Sequence, residues 1–122
     1  MPYRLVVSKE LSKVLSVVSH HHRIMIIEEL GKEGELDVNH LQEILGISQS
    51  RVSQHLSVLR TNRLVAERRE GRHVYYHLSN PAIAKWLLQG FEFIKADISG
   101  REDLLSALEK AEGAWNPDNP DG

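Results

Sequence analysis

Gln49, Ser50, Ser53, Gln54, Ser57 and Arg60 recur at a spacing that gathers them on one sector of a helix turning about 100° per residue. Short hydroxyls and amides let a helix approach another surface closely, and they both donate and accept hydrogen bonds. Base edges in the major groove of a duplex ask for that chemistry: glutamine bonds adenine through two atoms, and serine suits several bases. Within residues 45–60 only Arg51 and Arg60 are charged at neutral pH, which solvation alone does not explain. Long charged side chains would hold the helix off or bind any sequence.

The cations lie nearby. Residues 47–73 carry six arginines against Glu67 and Glu70, whereas residues 100–122 are net acidic and the whole chain has a net charge of −2. A basic centre in a mildly acidic chain points to a polyanion on one face. Arg51 flanks the polar sector, and Arg68, Arg69 and Arg72 fall where phosphates would be met, contacts that position a protein without reading sequence. The candidate nucleic-acid surface is therefore Ser48, Gln49, Ser50, Arg51, Ser53, Gln54, Ser57, Arg68, Arg69 and Arg72.

The elements that must position these residues follow from periodicity. Val7, Leu11, Val14, Leu15 and Val18 predict an amphipathic helix over 8–19, and Ile24 to Leu30 a buried one over 22–30, ended by Gly31 and Gly34. A short helix over 37–45 closes at Gly46, and Ser48 caps the next, which runs to about 62. That is helix-turn-helix spacing. In the second helix Val52, Leu56 and Leu59 face the core. His55 lies beside that stripe and is expected to pack there with one hydrogen bond. Alternation in LVAERRE and RHVYYHL predicts a hairpin over 64–79, which sends one of Tyr75 and Tyr76 inward. Asn80 and Pro81 start a helix over 81–98, and Ser99 to Glu102 form a capping box opening a last one. Residues 1–112 are expected to be one domain, and 113–122 a disordered acidic tail.

SQSRVSQHLSVLR, followed by NRLVAERREGRHVYYHL, resembles the ArsR/SmtB (arsenic-repressor type) winged-helix transcriptional regulators, and the likeness covers residues 8–98. It implies a mainly α fold with a small β-hairpin, a winged helix-turn-helix dimerised through its N- and C-terminal flanking helices. It also implies a sequence-specific homodimeric repressor that binds double-stranded DNA and leaves its operator when an effector binds. Base contacts carried over by position fall on Gln49, Ser50, Ser53 and Gln54, and wing contacts on Arg68, Arg69 and Arg72. Apart from the resemblance, the flanking helices offer more apolar surface than one small unit covers. This places Leu11, Val14, Leu15, Val18, Ile83, Trp86, Leu87, Phe91 and Ile94 at a dimer interface. The alternatives are a protein-interaction module on the same scaffold and a histidine-based metal-sensing regulator. No nucleophile motif or phosphate-cradling glycine loop suggests an enzyme.

The effector is where the sequence departs from the family. The chain has no cysteine, so the thiolate sites of metal, arsenic and sulfur sensors are excluded. The acid and histidine ligands that other members carry on the dimerisation helix fall here on Asn80, Ala82, Phe93 and Ala96, which form no ligand set. His20, His21 and His22, with His40, are the remaining candidates for a metal. Three successive residues do not share one helix face, so no metal or cofactor is assigned and the effector stays open. Without cysteines or an apolar run of about 18 residues, a cytoplasmic protein with no membrane partner is expected.

Overall fold

The computed structural model describes residues 2–97 and 101–115. Apolar residues three and four apart build α1 (Pro2–Val18) and α2 (His21–Glu33). α1 starts six residues earlier than the apolar repeat indicates. α2 runs through Gly31 and ends at Gly34, whose positive φ of 85° closes the helix by a bond to the carbonyl of Leu30. Gly31 has a different purpose: a Cβ there would lie 2.7 Å from the Cβ of Ala84, so its bare backbone lets a later helix dock closely. A two-residue strand, β1 (Leu36–Asp37), precedes α3 (Val38–Leu45) and α4 (Gln49–Thr61).

Strands β2 (Val65–Glu70) and β3 (His73–Leu78) form the expected hairpin. Gly71, at φ 61°, opens its two-residue turn. β1 adds antiparallel to the other edge of β3, pairing Leu36 with Tyr76 and Asp37 with Tyr75, which makes a three-stranded sheet in the order β1-β3-β2. The single helix expected over 81–98 is two, α5 (Ala82–Gln89) and α6 (Phe91–Asp97). Gly90, a poor helix former, sits at the break. Asn80 caps α5 by accepting from the backbone N–H of Ala82 at 3.0 Å. α7 (Glu102–Trp115) extends through residues 113–115, where a disordered tail was expected. Ser99 and Gly100 of the proposed capping box, Ile98 before it and the tail from 116 lie outside the described residues.

Ile26, Ile27 and Leu30 of α2, Leu41 of α3, Val52, Leu56 and Leu59 of α4, and Val65 and Leu78 of the hairpin form one core. Val18 joins it at 4% exposure. Val18, expected at a dimer interface, is instead buried in the core of its own chain, with Val17 partly buried against the same core. Ile83 and Leu87 also pack partly on this core, while Leu11, Leu15, Trp86 and Ile94 remain exposed and Val14 and Phe91 are half-buried. Among the described residues, no helix is long and apolar enough to cross a membrane.

Candidate nucleic-acid interface

The geometry begins at the turn between α3 and α4. Asp37 caps α3, its Oδ1 accepting from the backbone N–H of His40 at 2.9 Å and lying 2.8 Å from His40 Nδ1. The pairing holds the Asp37 carboxyl below its ordinary range and raises the His40 imidazole. Gly46, left-handed at φ 67° and ψ 29°, ends α3 with a bond from its N–H to the carbonyl of Gln42. Two residues later Ser48 caps α4, and its Oγ accepts from the backbone N–H of Arg51 at 3.2 Å. That hydroxyl is therefore committed to the helix start.

α4 divides cleanly. Val52, His55, Leu56 and Leu59 are buried, and Gln49, Ser50, Arg51, Ser53, Gln54, Ser57 and Arg60 are exposed. Among the described residues no side-chain hydrogen bond holds Gln49, Ser50, Ser53, Gln54 or Ser57. Four buried residues in one helix fix its orientation, so the opposite face is presented rigidly. At the other end, the N–H of Leu64 bonds the carbonyl of Leu59 at 2.9 Å, and Arg63 takes the left-handed φ of 62° that glycine would fill without strain.

The hairpin sorts its arginines by alternation. Val65, Glu67 and Arg69 share the face turned toward α4, where Glu67 bridges Arg60 at 3.2 Å and lies 3.8 Å from Arg69 Nε. Arg68 points to the other face. It donates to both carboxylate oxygens of Glu35, at 3.0 and 2.7 Å, and to Glu70 at 2.7 Å, with its guanidinium 4.9 Å from the centre of the Tyr75 ring. The Arg68 hydrogen bonds lower the Glu35 carboxyl. So Arg69 is exposed on the side of α4 and Arg72 is exposed in the hairpin turn, while Arg68 is tied down as a strut between the hairpin and the β1 edge. Sequence alternation contains this split; the partner Glu35, 33 residues away, is not visible in it.

A second grouping lies beneath α4. His20 caps α2, its Nδ1 accepting from the backbone N–H of His22 at 3.1 Å. His55 is 9% exposed, and its Nδ1 accepts from Arg23 Nε at 3.2 Å; the same guanidinium reaches the carbonyl of Val17 at 3.0 Å. Ring nitrogens of His20, His22 and His55 lie within 4.8 Å of one another. Desolvation, reinforced by neighbouring cations, pushes His55 down to about 4 and also lowers His20 and His22. Of the metal candidates read from sequence, His20 and His22 come together, His21 is exposed and outside the set, and His40 is engaged by Asp37. The third member, His55, was assigned to packing. It does pack with one hydrogen bond, as its place beside the apolar stripe implies, but the approach of the α2 start to that stripe is a tertiary fact.

An apolar face lies away from both. Leu11 and Val14 of α1, Ile83 and Trp86 of α5 and the connector around Leu64 line a groove of 340 Å³. On the other side of Trp86, Leu15, Leu87 and Phe93 line one of 460 Å³. Phe93 is 82% exposed.

Known proteins resemble the chain throughout this region. Residues 20–67 match the profile of a family described as bacterial regulatory protein, arsR family. The nodulation protein NolR of Rhizobium meliloti is 42% identical over 73 residues, which cover 60% of this chain and 59% of that protein. The arsenic resistance transcriptional regulator ArsR1 of Pseudomonas putida is 34% identical over 93 residues, covering 75% of this chain and 70% of its own length. Among solved structures, reduced HlyU from Vibrio cholerae superposes with a TM-score of 0.67 at 32% identity, over 73% of this chain and 96% of that one.

Proposed function

The chain belongs to the ArsR family of bacterial regulatory proteins, and from that premise we propose a homodimeric repressor that reads a pseudo-palindromic operator with α4 and grips the backbone with the tip of β2–β3. The family consists of DNA-binding transcriptional regulators, and this chain is accordingly a regulator of that kind and not an enzyme. Similar proteins carry the names transcriptional repressor PagR, from Bacillus anthracis, and biofilm growth-associated repressor, from Xylella fastidiosa.

The division of α4 carries the reading. A helix locked into the core on one side offers, on the other, uncommitted hydroxyls and amides short enough to approach a groove floor. Gln49, Ser50, Ser53 and Gln54 are the base contacts. Arg51, Arg69 and Arg72 meet phosphates, and Ser57 lies at the margin. Ser48 holds α4 in place through its cap, with its backbone near the duplex. Arg68 leaves the phosphate set, because two carboxylates already neutralise it.

Pairing through α1, α5 and α6 covers Leu11, Leu15, Trp86 and Ile94 and closes the two grooves flanking Trp86. A two-fold axis there sets the reading helices about 34 Å apart, one turn of DNA. Gel-shift titration against the upstream region of its own reading frame over a range of salt tests the whole. Three phosphate contacts per protomer give a slope of log affinity against log salt near −5 per dimer. A flat response sinks the reading in favour of a protein-interaction module.

A further inference from the structure

The histidines under α4 have lone-pair relations that invite a ligand. A neutral imidazole has one in-plane lone pair, and its second nitrogen carries a proton. In His55 that pair receives Arg23, and in His20 it receives the backbone N–H of His22. Nδ1 of His22 is buried without any hydrogen-bond partner, an orphan beside the other two rings. The three rings converge, with centroids of 4.5 Å for His20 and His55 and 5.6 Å for His22 and His55.

We propose that His20, His22 and His55 form a site for one borderline-soft divalent transition metal, with zinc as the type case. Three imidazoles and a fourth, open position are a common arrangement for such an ion. No carboxylate belongs to the set, and Arg23 and Arg51 lie close by, so charge attraction contributes nothing. Affinity must come from nitrogen donation, which excludes calcium and magnesium and favours cobalt, nickel, copper and zinc. Zinc–nitrogen bonds of about 2.0–2.1 Å put tetrahedral ligand atoms about 3.3 Å apart. The rings must therefore close in from their present separation of up to 4.8 Å.

Occupancy then has a defined consequence. The metal takes the same lone pairs that now hold Arg23 and the start of α2, so neither hydrogen bond survives beside it. Arg23 lets go of α4 while its other nitrogen still faces the end of α1, and the α1–α2–α4 junction is remade. The site stands whether or not α4 reads DNA.

Cobalt(II) titration of the full chain without DNA, followed by displacement with zinc, tests the site. The expected result is the visible absorption of a tetrahedral ion, saturating at one per chain. His22→Gln should weaken binding at least tenfold, and His40→Gln should leave it unchanged. Arg23→Gln should tighten binding, because it removes the competitor for the His55 lone pair, a result that a merely structural role for Arg23 does not produce. If His55→Gln fails to fold, the half-buried His22 still decides. Absence of stoichiometric binding, full affinity in His22→Gln, or weaker binding in Arg23→Gln overturns the proposal.

Discussion

Helices α1 and α4 turn opposite chemistries toward solvent. α4 buries four side chains and exposes serines, glutamines and arginines; α1 buries Val18 alone and exposes Leu5, Val7, Leu11 and Leu15. A polar face is stable in water and free to exchange that water for base edges. An apolar face left open forgoes roughly 25 cal/mol for each Å² it could bury. The first surface therefore suits a hydrated, hydrogen-bonding partner, and the second suits another apolar face such as its own copy. The two demands also differ in rigidity: α4 must be held by its own protomer before it reads anything, whereas α1 gains its remaining packing only when covered.

Acid should break the contrast first, at the inner side of α4. The folded-state value of His55, about 4, lies below its unfolded value near 6.5. Its contribution is therefore complete above about pH 6.5 and is lost as pH falls toward 4, in total of the order of 3 kcal/mol. Urea unfolding between pH 7.5 and 4.5 reads this loss, and NMR titration of His55 near 6.5 would contradict it. Next in size is Trp86→Ala on the apolar side. It should weaken dimerisation by about 2 kcal/mol or more by sedimentation, as loss of a central aromatic anchor does, with little change in protomer folding. An unchanged dimer would remove α5 from the interface. The smallest effect is expected from Arg68→Ala: little change in the urea midpoint, since its ion pairs are exposed, and operator affinity close to wild type. A large loss of operator affinity would return Arg68 to the phosphate set.

Local signals were legible in the sequence. Gly46, Ser48, Asn80 and Gly71 act where caps and turns place them, and the helical wheel sorted α4 into its buried and polar sides; Asp37, read as the first residue of α3, is its cap instead. What escaped were effects of distant neighbours. Gly31 looked like a helix end and is a docking point for Ala84. β1 is two residues long and exists only because β3 offers an edge. Arg68 looked equivalent to Arg69 until Glu35 came into reach, and Val18 shared the apolar spacing of Leu11 and Leu15 but is buried in the core of its own chain. The histidine cluster needed the fold as well, because 33 residues separate His22 from His55.

The division of labour between α4 and the wing can be measured directly by titrating Gln54→Ala and Arg69→Ala against an operator and its single-base variants. Gln54→Ala should cost about 1–3 kcal/mol on the operator and lose discrimination at one base pair in each half-site, while Arg69→Ala weakens all sequences alike. Equal losses on every sequence for both variants would contradict base reading by α4.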